Sequence, residues 1–139
     1  MKNSYIFGNK VYYFLFVVCT IVITTLLLLP ANLFSNTPKI VLWKHSDKVV
    51  HFLMFFCESW LLFRSIELRK GYKFSRISKI VVLSISIFGL FTEILQGITY
   101  NTAKRNFSLA DLFFDILASV VAVLVINFLH KRIKKNIPF

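Results

Sequence analysis

Acidic residues are scarce in this chain. Only 6 of its 139 residues are Asp or Glu, against 17 Lys and Arg. Charged residues of both signs make up 17%, where a water-soluble domain carries roughly a quarter. Glycine is also rare, at four residues, and no Gly-rich loop is present to cradle a phosphate. The two cysteines, Cys19 and Cys57, both lie inside apolar runs. That excludes a disulfide framework and a cysteine-based metal spacing; buried thiols on separate helices are packing groups. Internal repeats and low-complexity tracts are absent.

What the chain has in quantity is apolar surface. Hydrophobic residues make up 57%, with 16 Phe, and mean hydropathy is +0.70. A domain this small leaves much of its surface exposed, so the surrounding solvent must be a bilayer. Four apolar segments stand out, approximately 11–29, 47–63, 80–98 and 109–129. A spanning helix needs about 20 residues, with a range near 17 to 25. The second segment is short and carries His51 and Glu58. It reaches the interface if it starts near Ser46 or Asp47, snorkels Lys48 and places Trp60 toward its other end. The first segment follows Lys2 and Lys10, as a signal peptide would. Its apolar core is too long for one and no small-x-small site follows, so it is expected to stay as a span. The expected fold is all-α: a four-transmembrane-helix bundle forming a single domain over residues 1–139.

The formal net charge of +11 would suggest nucleic acid in a soluble protein. Here the bases sit in loops and tails, where topology and anionic lipid headgroups explain them. No nucleic-acid partner is expected; membrane lipids are. Lys2, Lys10, Arg64, Arg69, Lys70, Lys73, Arg76, Lys79, Lys131, Arg132, Lys134 and Lys135 fall on one side of a four-span topology. Only Lys39, Lys44, Lys48, Lys104 and Arg105 fall on the other. The positive-inside rule then puts both termini in the cytoplasm, with the chain multi-pass in the cytoplasmic membrane.

Within this topology the polar residues are not scattered. Apart from Asn127, those inside the apolar segments lie toward the outer face or near mid-membrane. Asp47, His51 and Glu58 follow one stripe of the second helix. Glu93 and Gln96 share a face of the third, with Gly97 continuing it. Asp111, Asp115, Ala118, Ser119 and Ala122 form a polar-to-small stripe on the fourth, and small residues let helices approach closely. Intramembrane ionisable residues face the bundle interior or a wet cavity. Three stripes are therefore expected to meet, with Lys44, Lys104 and Arg105 closing over them. Asp111 with Arg105 and His51 with Glu93 are the pairs this arrangement suggests. A polar network that merely fixes the bundle is one reading. The expense of placing charge in hydrocarbon favours a site. His51 reads as a network member and not as a metal ligand, since zinc wants two or three close His or Cys and only His45 is near. No metal or cofactor is expected. Glu58, alone at its depth, reads equally as a partner for another helix and as a site residue.

The stretch D-K-V-V-H at 47–51, E-I-L-Q at 93–96 and R-N-F-S-L-A-D-L-F-F-D-I-L-A-S-V-V-A at 105–122 resembles the VanZ-like family over roughly residues 10 to 130. Asp47, His51, Glu93, Gln96, Arg105, Ser108 and Asp111 match that family's pattern. Asp115 stands where the family has Asn, and Ala118 and Ala122 where it has Gly. The family includes a member that raises resistance to the glycopeptide teicoplanin. The resemblance therefore implies a bacterial cell-envelope role, without supplying a reaction. Three functions follow as expectations. The first is binding of a lipid-linked or phosphorylated headgroup at an outer-leaflet pocket built from Asp47, His51, Glu93, Gln96, Arg105, Ser108, Asp111 and Asp115. The second is an enzyme on lipid-linked envelope precursors, with His51, Glu93, Asp111 and Asp115 as catalytic candidates. The third is a small proton-coupled transporter.

Overall fold

The structure is a computed structural model that describes residues 2–29, 46–68, 71–99 and 107–136, with side chains described from Lys10 onward and not for 46–47 or 134–136. Four helices account for nearly all of these residues: α1 (Lys2–Leu28), α2 (Ser46–Glu67), α3 (Phe74–Ile98) and α4 (Leu109–Asn136). Each contains a stretch long and apolar enough to cross a membrane: Lys10–Leu28, Lys48–Glu67, Phe74–Ile98 and Leu109–Ile133. The protein is a small four-span membrane protein. α2, α3 and α4 all outrun their apolar runs, because amphipathic ends add turns that hydropathy alone does not register. α2 gains Arg64 to Glu67, α3 gains its first turn from Phe74, and α4 continues through His130 into its basic tail.

The helices are apolar outside and polar inside. On α3, Leu83, Ile87, Leu90, Phe91, Ile94 and Ile98 are exposed. The opposite face buries Ile77, Val81, Ile85, Gly89, Thr92, Glu93 and Gln96. Water would not support such a pattern; hydrocarbon does. Gly97 does not continue this buried face, and lies on the exposed side. At about 100° per residue it stands some 40° past Glu93, on the opposite flank from Gln96.

α2 packs against both α1 and α4, and α3 against α4. Three polar pairs show how α2 and α4 align. Lys48 pairs with Asp111, His51 with Asp115 and Glu67 with His130. The partners are 63, 64 and 63 residues apart in sequence, so the two helices run parallel in one fixed register from end to end. The buried residues between the rungs keep the same offset. Phe55, Ser59 and Phe63 on α2 correspond to Ala118 and Ser119, Ala122 and Ile126 on α4, all of them buried. Phe55 thus stands at the level of two small residues and Ser59 at the level of Ala122, which lets the helices approach closely there. Lys48 and Glu67 lie 19 residues apart on α2, about 29 Å at about 1.5 Å per residue. That is close to the ~30 Å thickness of a hydrocarbon core. The first and last rungs therefore bracket the apolar layer.

Local signals set the helix ends. Gly71 takes φ 109° between α2 and α3, a backbone region where a side chain would clash. Thr99 closes α3, its N–H and hydroxyl both donating to the Leu95 carbonyl at 2.9 and 2.8 Å. Ser108 opens α4 by accepting the Asp111 N–H on its hydroxyl at 3.2 Å, an N-cap arrangement.

Candidate functional site

Ser108 is also where the site begins. Its own N–H donates to Glu93 Oε2 on α3 at 2.8 Å. In a capping box a residue of the same helix turns back to hold the N-cap N–H. Here a carboxylate from the neighbouring helix does so. One contact therefore fixes the start of α4 and the orientation of Glu93 together.

Two further carboxylates project from the first two turns of α4. Asp111 accepts a hydrogen bond from Lys48 Nζ at 3.0 Å, near the bundle end, where the lysine side chain keeps 28% of its exposure. One turn deeper, His51 Nδ1 lies 3.1 Å from Asp115 Oδ1, with both side chains essentially inaccessible. Asp115 is in turn pressed against α3: a Cβ built on Gly89 would lie 3.1 Å from its Oδ2 and 3.2 Å from its Cβ. Gly89 is one turn before Glu93 on the same face, so the Asp115 carboxylate and Glu93 approach from two helices. His51, Glu93 and Asp115 are all buried, and each brings one ligand-capable atom within 4.8 Å of those of the other two. Glu93 Oε1 and Asp115 Oδ2 have no hydrogen-bond partner among the described residues.

Around this cluster the polar contacts thin out. Gln96 Nε2 donates to the Leu27 carbonyl in the last turn of α1 at 3.2 Å. Glu58 accepts from the Thr20 hydroxyl at 2.7 Å on Oε1, while Oε2 has no partner among the described residues. It acts as a bond between α1 and α2 at mid-bundle.

No family model, curated protein or solved structure matches the chain.

Of the eight residues expected at the site, the structure brings Glu93, Ser108, Asp111, Asp115 and His51 together. Gln96 shares the buried face of α3 but turns its amide to α1. Asp47 lies in the first turn of α2 with its side chain outside the described residues. Arg105, with Lys44, Lys104 and His45, also lies outside them. Two pairings add to those the stripes suggested: Asp111 binds Lys48, its expected partner Arg105 lying outside the described residues, and His51 meets Asp115 as well as facing Glu93. The reason is register: Lys48 and His51 are three apart on α2, Asp111 and Asp115 four apart on α4, and both steps equal about one turn.

Sequence reasoning missed Lys48 as a site residue, having assigned it to the interface. Its position one turn before His51 was the available signal. It also missed Gly89 and Thr20, which carry no local signature, while Glu58 takes the first of its two expected roles, as a partner for another helix. At the opposite end, Glu67 joins Arg64 and His130, with His130 Nε2 2.8 Å from Glu67 Oε1. Glu67 and His130 line an open cleft of about 550 Å³ with Tyr72, Phe74 and Asn127. Asn127 is thus a cleft residue there, in polar company that its isolation in the sequence did not suggest.

Proposed function

We propose that this membrane protein is a VanZ-like component of the bacterial cell envelope that binds a lipid-linked or phosphorylated headgroup. Binding takes place at the end of the bundle where α2 and α4 begin and α3 ends. The supporting observation is the convergence there of His51, Glu93, Asp111 and Asp115 from three helices, with two buried carboxylate oxygens that have no donor among the described residues. An unpaired buried polar atom costs about 1–3 kcal/mol, and here two fall in one cluster, where Glu58 at mid-bundle leaves only one. Ligand hydroxyls or amines supply the missing donors. Lys48, half-buried at the rim, is the anion contact; a phosphate exchanges for the Asp111 carboxylate on its ammonium. The excess of Lys and Arg in the opposite loops and tail puts this end outside the cell, facing headgroups of the outer leaflet. A contribution to glycopeptide resistance follows from such binding.

The test is Asp111→Ala in a host overexpressing the protein. Teicoplanin susceptibility and the lipid that co-purifies, identified by mass spectrometry, are both expected to change. A folded variant with unchanged phenotype and unchanged lipid would refute the reading.

A second reading is favoured by the His51–Asp115 distance of 3.1 Å. A buried carboxylate that orients an imidazole is the arrangement of a general base. The protein would then act as an enzyme on lipid-linked precursors. Product formation from a lipid-linked phosphate by purified protein, lost in His51→Gln, distinguishes this from binding alone.

A further inference from the structure

We propose that His51, Glu93 and Asp115 form a binding site for a single divalent transition-metal ion, zinc or manganese, buried one turn below the Lys48–Asp111 pair. This goes beyond headgroup binding and does not depend on it. Four observations carry it. First, the three side chains come from α2, α3 and α4, are 1%, 0% and 0% exposed, and hold one ligand-capable atom each within 4.8 Å of the others. Second, Glu93 Oε1 and Asp115 Oδ2 have no donor among the described residues. Two carboxylates with spare lone pairs in one dry cluster require a cation or protons for compensation. Third, the Asp115 carboxylate is aimed at the α3 face that carries Glu93, since its Oδ2 lies 3.1 Å from where a Gly89 Cβ would stand. Fourth, Glu93 is held by the Ser108 backbone N–H at 2.8 Å. Ligating carboxylates are held in this way, oriented before the metal arrives.

The donor set selects the ion. One imidazole nitrogen and two carboxylate oxygens suit zinc or manganese and lack the thiolates that favour softer metals. Bonds of about 2.0–2.2 Å place tetrahedral ligands roughly 3.3–3.5 Å apart, a separation inside the 4.8 Å that spans the three groups. Three protein ligands leave one coordination position open in a four-coordinate site. The Lys48–Asp111 pair, one turn nearer the interface, stands at its entrance.

The full-length protein, purified in detergent and stripped with chelator, is titrated with Zn²⁺, Mn²⁺ and, as a spectroscopic probe, Co²⁺ alone. The expected result is one bound ion per chain by mass spectrometry of the desalted protein, with visible Co²⁺ absorption bands of a low-symmetry site. Glu93→Gln and Asp115→Asn are each expected to weaken binding at least ~100-fold. Glu58→Gln, outside the cluster, is expected to leave it unchanged. Less than about a tenth of an ion per wild-type chain, with no Co²⁺ bands, overturns the proposal whatever the variants do. So does equal binding by folded Asp115→Asn. Headgroup binding is measured separately with chelated protein and co-purified lipid, so either proposal can fail while the other stands.

Discussion

Replacing Gly89 by alanine is expected to destabilise the bundle, although alanine is the better helix former. The new Cβ would stand 3.1 Å from Asp115 Oδ2, 3.2 Å from Asp115 Cβ and 3.5 Å from Leu112 Cδ1. Ordinary carbon contacts lie at about 3.5–4.0 Å, so the first two neighbours must recede by several tenths of an ångström. Neither does so freely. The Asp115 carboxylate is tied to His51 through Oδ1 at 3.1 Å, and its Cβ is fixed to the α4 backbone. α3 and α4 must therefore move apart, or the His51 pair must break. Overpacking of this kind costs about 1–3 kcal/mol, while Gly→Ala in a helix interior returns about 1 kcal/mol. The net expectation is a loss of about 1 kcal/mol for Gly89→Ala and a failure to fold for Gly89→Leu. The assay is reversible unfolding in mixed detergent micelles, followed by circular dichroism. A Gly89→Ala protein more stable than wild type by the full propensity gain would show that α3 and α4 do not approach at this level. The assembly of Glu93 with Asp115 would then be wrong.

Thr20→Val should lose about 1–3 kcal/mol in the same assay, because Glu58 then has no donor on either oxygen; Thr20→Ser should restore most of it. Ser108→Ala keeps the backbone N–H for Glu93 and removes only the cap on Asp111, so a loss of about 1 kcal/mol is expected, with metal and lipid binding retained. Asp115→Leu should cost about 3–5 kcal/mol by leaving His51 without its acid, whereas His51→Phe with Asp115→Leu should recover to near wild-type stability or above it. A double variant no more stable than the worse single one would argue that the pair serves the fold and not a ligand.

The membrane character, the number of helices and the convergence of three polar stripes were legible because each is a periodic property of one segment. Asp111 and Asp115 advertise their common face by a spacing of four, and His51 by its place in an otherwise apolar run. The pairs of Lys48 with Asp111 and of His51 with Asp115 were not legible. They depend on the relative height of α2 and α4, and no local pattern encodes that height. The register is set instead by interhelical fit, with Phe55 at the level of Ala118 and Phe63 at the level of Ile126. Gly89 was invisible for the same reason, since its role exists only when Asp115 is brought against it. Glu67 and His130 escaped notice because hydropathy ends each span before they appear, although they pair across the bundle at 2.8 Å.

The three α2–α4 rungs divide by what their environment allows. The Lys48–Asp111 and Glu67–His130 pairs sit at the ends of the bundle, where their side chains keep access to the interface. Such pairs add at most about 1 kcal/mol each, yet they suffice to bias register, since a slip of one residue would separate both at once. The His51–Asp115 pair gains nothing from that argument. It repeats register information already present at both ends, and it does so where removing charge from water is expensive. Packing does not call for it either, because Phe55 one turn below occupies the same face of α2 without a polar group. Glu93 sharpens the point: it spends one oxygen on the Ser108 N–H and leaves the other without a donor among the described residues. A bundle shaped only by stability would carry apolar side chains at 51, 93 and 115. The polar set at those positions is what the proposed bound group, supplying positive charge or hydrogen-bond donors from the end where Lys48 and Asp111 lie, would account for.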